Sequence, residues 1–149
     1  MASNAWWAYG SDFKVGNDGT TETFATVAEV LDISGPNMTM DTIEVSSQDS
    51  ANGWREYIAG WRDAGEVSIS ANWIPASSTQ DGTAGILSKF LDSDLHNYQI
   101  ITPQCDGTET YTITLRGIVT GFNVNLPLTE QAKVDFSIKL TGSVGIAET

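Results

Sequence analysis

With 149 residues, 40% hydrophobic and 17% charged, the chain is the size of one ordinary domain and apolar enough to bury a core, which excludes a disordered polypeptide. Seven basic against 19 acidic residues leave a net charge of -12, which argues against a grip on nucleic acid or on an anionic membrane. Cys105 stands alone, so no internal disulfide can form and nothing marks an oxidising compartment.

The opening MASNAWWAYG has no basic start followed by a long apolar run, so it does not read as a signal peptide. No stretch approaches the ~18 apolar residues of a membrane helix. The expectation is a protein made and dissolved in a cytoplasm, with no membrane anchor. Residues 1–23 are polar and glycine-dotted around Trp6, Trp7 and Tyr9, and they read as an N-terminal arm. That aromatic cluster either packs on a neighbouring chain or closes one end of its own barrel.

Residues 24–33 are β-rich and stop at Ser34-Gly35-Pro36; residues 38–45 resume extended character. Residues 46–64 are too long for a tight hairpin, and a connection of roughly 20 residues is generally functional or mobile. It carries Trp54, Arg55, Tyr57, Trp61 and Arg62 with no clear strand period. From Glu66 the pattern turns regular: Val67, Ile69, Ala71 and Trp73 alternate with Glu66, Ser68, Ser70 and Asn72 until Pro75. Capping side chains at 77–81 precede a helix predicted over 83–92, whose Ile86, Leu87, Phe90 and Leu91 make one apolar face against a sheet. Strands follow at 98–102, 110–116, 118–126 and 133–141, and residues 143–149 form a C-terminal tail. About seven strands with one wet face and one flanking helix predict a mainly β, antiparallel sandwich or barrel, in a single domain over 1–149.

No catalytic site emerges. His96 is the only histidine, and its place at a helix-to-strand junction reads as a surface or turn position. One His and one Cys cannot supply a tetrahedral zinc site, and the acidic clusters lack calcium-loop spacing. No glycine-rich phosphate cradle lies between a strand and a helix. Nineteen acids will yield some carboxylate pair at any chosen spacing, so glycosidase-like pairs carry no weight. The expectation is therefore no enzyme, no cofactor and no metal.

Val27-Ala28-Glu29-Val30, Gly35-Pro36, the stretch Asp41 to Ser46, Trp54-Arg55-Glu56 and Asp63 to Val67 occur in an order and spacing that resemble the major tail protein (tail tube protein) of long-tailed, non-contractile bacteriophages. The similarity runs on through GILSKFL and GIVTGFNVNLP and so covers most of the chain. The resemblance implies the phage tail tube fold, with a long β-hairpin loop at 46–64. It also implies a non-enzymatic virion protein that closes into six-membered rings and stacks into a hollow tube. Its implied partners are itself, the tail tip or baseplate, the tape measure and the tail terminator, with double-stranded DNA passing through the lumen unbound.

On that reading Trp54, Arg55, Tyr57, Trp61, Arg62, Trp6 and Trp7 are subunit-interface residues, because Trp, Tyr and Arg anchor interfaces. The alternative folds the 46–64 loop onto its own domain, with Trp54 and Trp61 capping the core. A carbohydrate-binding β-sandwich module remains the alternative function, and the contractile-tail and type VI secretion tubes share the implied fold.

Overall fold

The computed structural model describes residues 3–104 and 108–148; Cys105 lies outside them. In chain order the elements are β1 (Asp12–Gly16), β2 (Phe24–Thr26), β3 (Val30–Ser34), β4 (Thr39–Glu44), β5 (Tyr57–Asp63), β6 (Glu66–Asn72), α1 (Ile86–Asp92), β7 (His96–Ile101), β8 (Tyr111–Asn125), β9 (Lys133–Leu140) and β10 (Gly145–Glu148). The expected mainly β, antiparallel architecture with a flanking helix is what the chain adopts. One sheet runs β2-β1-β7-β8-β9-β6-β3, and β10 adds to the start of β8; β4 and β5 form a separate two-stranded sheet.

The large sheet curls over its own core. Phe13 on β1 meets Phe136 on β9 with ring centroids 5.8 Å apart, although two strands lie between them in the sheet. Tyr98 stacks on Phe13 at 5.7 Å. The alternation along β6 and β9 sends Val67, Ile69, Ala71, Val134, Phe136, Ile138 and Leu140 into this core. The bend is built into β8, whose first residues lie between β7 and β10 and whose residues from Gly117 onward pair with β9. A register shift between Val119 and Gly121 supplies the extra twist.

Four boundaries differ from the sequence reading. The arm expected at 1–23 ends early: β1 is a core strand, with Phe13 and Val15 buried, and only residues 3–10 are exposed throughout. The strand expected at 24–33 is broken by Glu29 in a left-handed turn (φ 51°), giving β2 and β3. The two strands expected at 110–116 and 118–126 are one, since Gly117 continues the ladder. The tail expected at 143–149 contains β10, paired with β8.

The helix is shorter than expected. Asp81 Oδ1 accepts the backbone N–H groups of Thr83, Ala84 and Gly85 at 2.9–3.1 Å and so orders the turn ahead of α1, but the helix itself starts at Ile86 from Gly85 with no side-chain cap, unlike the capping expected from 77–81. These N–H bonds hold the Asp81 carboxyl below its usual value. The face pressed on the sheet runs through Ile86 and Lys89, while Phe90 and Leu91 stay exposed, contrary to the apolar face expected. In two turns only one i, i+3 line can face the sheet, and the ion pair from Lys89 to Asp18 selects it. Just upstream, Gln80 is buried and bridges three backbone groups: it accepts from Ile74 N–H (2.8 Å) and donates to Ala28 and Asn72 carbonyls (2.9 Å each).

Candidate assembly surface

Strands β4 and β5 form a hairpin that contributes nothing to the core. Every residue of β4 is exposed, and so is every residue of β5 except Gly60. The pairing Ile43↔Ile58 and Glu44↔Tyr57 sorts the side chains onto two faces. Tyr57 and Trp61 share one face; Ile43, Ile58 and, past the bulge at Met40/Thr42, Met40 share the other. Trp61 is 85% exposed and Trp54 75%, so neither caps the core. A lone two-stranded hairpin is marginal in water, and this one wets apolar side chains on both faces.

The hairpin end is ordered by its own serines, not irregular as its composition suggests. Val45 N–H donates to Glu56 O (2.8 Å), Glu56 N–H to Ser46 Oγ (2.9 Å), and Ser50 Oγ to the Glu56 carboxylate (2.8 Å). Ser47 N–H donates to Ser50 Oγ, and a 3-10 turn (Ala51–Gly53) closes the tip with Asn52 and Gly53 both at positive φ. Tyr57–Asp63 is thus a regular strand.

At the base, two glycines let the entering and leaving segments touch. A Cβ on Gly65 (φ 76°) would stand 2.0 Å from the Asn37 carbonyl oxygen, and one on Gly35 (φ 114°) 2.5 Å from that of Glu66. Asp63 locks the corner by accepting Gly65 N–H (2.8 Å) and pairing with Lys139 (3.3 Å), both of which lower its carboxyl pKa.

Arg55 approaches Glu44 of its own chain at 3.9 Å, an exposed pair that contributes little. Arg62 makes no ion pair among the described residues. Trp7 stacks on Tyr9 at 4.9 Å, yet Trp6 (44%), Trp7 (79%) and Tyr9 are all exposed, so the arm does not close its own barrel. The structure thus brings Trp54, Arg55, Tyr57, Trp61 and Arg62 onto one projection and holds Trp6 and Trp7 on a separate segment. Sequence reasoning missed Met40, Ile43 and Ile58, the hairpin's second apolar face, which only the β4–β5 register with its shift at Met40/Thr42 brings together.

The outer face of β3-β6-β9-β8 is the opposite kind of surface. Register aligns Ser34, Ser68, Ser137 and Gly121 across four strands, and beside them Asp32, Ser70, Asp135 and Asn123. Its two lysines face carboxylates of the same chain: Lys139 on Asp63 and Lys133 on Glu130 (3.7 Å).

His96 is not a surface residue. It is buried at the start of β7, with Nδ1 2.8 Å from Asp18 Oδ2 and Nε2 2.9 Å from Asp92 Oδ1. Partial burial alone would raise both carboxyls. The hydrogen bonds from Lys89 and His96 to Asp18, and from His96 and Asp94 N–H to Asp92, outweigh it and hold both below the usual value. Burial, then the carboxylates of Asp18 and Asp92, push the Tyr98 phenol up; its hydroxyl has no hydrogen-bond partner among the described residues. Among the described residues no group of three or more His, Cys, Asp or Glu side chains could hold a metal ion, and no helix is long and apolar enough to cross a membrane.

A family model described as lambda phage tail tube protein matches residues 7–147. Among solved structures the chain is similar to a component of the virion of a native gene transfer agent particle, at TM-score 0.71 and 18% identity over 96% of this chain and 99% of that one. It is also similar to a component of an extracellular contractile injection system described as a sheath/tube terminator in the extended state, at 0.70 and 14% over 99% of each. The SPP1 tail tube matches at 0.64 and 7% over 100% of this chain and 78% of that one. At such identities these likenesses concern the fold. No match is found among curated protein sequences.

Proposed function

The chain belongs to the lambda phage tail tube protein family, and on that premise we propose that its copies close into rings, stack, and leave a bore for double-stranded DNA. The observation that carries this reading is the β4–β5 hairpin, ordered by its own hydrogen bonds yet apolar on both faces. Its missing hydrophobic partner is another copy. At ~25 cal/mol per Å2, burying one tryptophan of ~200 Å2 is worth up to ~5 kcal/mol before ordering costs. Because serine hydroxyls already order the loop, little of that gain is spent on fixing backbone. Arg55 and Arg62 then find carboxylates on the neighbour, and Trp6 and Trp7 add area through the arm.

The hydroxyl-lined outer face of β3-β6-β9-β8 suits the wall of the bore. Short hydroxyls and carboxylates offer a sliding polyanion no cationic hold, and Lys133 and Lys139 are already matched within the chain. In this role the protein is a non-catalytic part of a non-contractile virion tail, assembled in the host cytoplasm with tail tip, tape measure and terminator proteins.

Negative-stain microscopy of the concentrated protein tests the reading. Rings or long tubes are expected, formed from the tail tip where spontaneous nucleation is slow. Monomer alone at every concentration, with tail-tip complex added, overturns it.

A further inference from the structure

The strands that carry the hairpin at one end carry a second apolar projection at the other. β6 starts at Glu66, beside the hairpin base, and ends at Asn72, which pairs with Lys133 at the start of β9. The turn between β8 and β9 therefore sits at the far end: Trp73 N–H donates to Ala132 O at 3.0 Å, whereas Leu140 N–H donates to Gly65 O at 2.9 Å at the hairpin end. Seven residues of strand separate the two ends by ~20 Å. On that far turn Leu128 is fully exposed and Leu126 65% exposed.

At the hairpin end lies a groove of about 420 Å3 between the base of β4–β5 and the 142–144 turn, floored by Met38, Met40, Ala64 and Val144 and edged by Arg62. Met38 and Met40 are half exposed and nothing of the described chain fills the groove. Methionine-lined hollows adapt readily to branched side chains. Charge matches as well: Arg62 is without an ion pair among the described residues, and Glu130, two residues from Leu128 and 62% exposed, holds Lys133 only through a solvent-exposed pair at 3.7 Å, which leaves its second oxygen open to a further cation.

We infer that the β8–β9 turn is the plug of a head-to-tail contact, with Leu126 and Leu128 of one copy seated in the Met38–Met40–Val144 groove of the next and Glu130 beside its Arg62. This rests on the assembly reading above and adds a direction to it. Plug and groove face opposite ways along the same strands, so no copy can fill its own groove. A contact between two different patches does not close in a pair; repeated by translation, it gives an open stack. The plug then joins ring to ring.

Two experiments on the full chain test the contact. Leu128→Asp changes a side chain in open solvent, so circular dichroism and melting temperature stay as they are. Rings persist in negative stain while pelletable tube falls at least about tenfold, because a carboxylate must enter an apolar groove. In the second, Leu128→Cys and Met40→Cys are made separately in a Cys105→Ser background and co-assembled before mild oxidation. A disulfide-linked dimer forms in the mixture and in neither variant alone. Normal tube yield from Leu128→Asp, or tubes without the mixed cross-link, overturns the plug and leaves ring assembly standing. An unsubstituted protein that forms neither rings nor tubes removes the assembly reading and this contact with it.

Discussion

Asp18 and His96, 78 residues apart in sequence, meet at 2.8 Å, and the same Asp18 oxygen takes the Lys89 ammonium. One carboxylate thereby ties the 17–23 loop to both α1 and β7.

Asp18→Asn leaves the Lys89 ammonium, 8% exposed, without its counter-charge. A broken buried pair costs roughly 3–5 kcal/mol; with Asp18 itself open to solvent on one side, about 2 kcal/mol is expected at pH 7. The Asp18 and Asp92 carboxyls are lowered on folding, so their contribution is present above the unfolded value of 3.8 and is lost as pH falls through the folded value. Thermal melts at pH 7 and pH 3 should show the gap between unsubstituted protein and variant narrowing in acid.

Gln80→Ala strands the Ile74 N–H and the Ala28 and Asn72 carbonyls, all of them served by one amide. The expected cost is about 2–4 kcal/mol in urea unfolding with no change in m-value. Gln80→Glu restores only the acceptor for Ile74, so it recovers part of the loss at most.

Gly65→Ala drives a methyl group into the Asn37 carbonyl at a backbone angle that L-residues avoid. The hairpin base must open. We expect at least ~2 kcal/mol lost in denaturant unfolding, and tube formation lost even at temperatures where the body remains folded.

Trp54→Ala and Trp61→Ala together leave the melting temperature nearly unchanged, because both rings stand in solvent; exposed substitutions stay within about 0.5 kcal/mol. Assembly, followed by sedimentation, is abolished. In the unsubstituted protein, tryptophan emission shifts to the blue as tubes form, and the double variant removes most of that shift.

What the sequence disclosed tracks where burial differs between faces. β6 and β9 alternate core and solvent residue by residue, so their spans were legible to within two residues. β5 was not, because solvent bathes both faces and no alternation of burial exists to be written; only its pairing with β4 makes Tyr57–Asp63 a strand. β1 was hidden by length: Phe13 and Val15 are two core positions inside a polar, glycine-dotted stretch. His96 read as a surface or turn position because its partner, Asp18, lies more than seventy residues away in the sequence. The aromatic and arginine cluster was legible from residue type alone, since tryptophan has few reasons to sit in a serine-rich loop. Its second face, Met40, Ile43 and Ile58, needed the register.

The contact of Gly65 with Asn37, and of Gly35 with Glu66, leaves the joint between projection and body narrower than a methyl group. Such a joint has little slack, so on the assembly proposed above the angle at which one molecule offers its hairpin to the next is set by two missing side chains. The direction in which a tube grows would then be prepared in the backbone of each copy, before any second molecule is present.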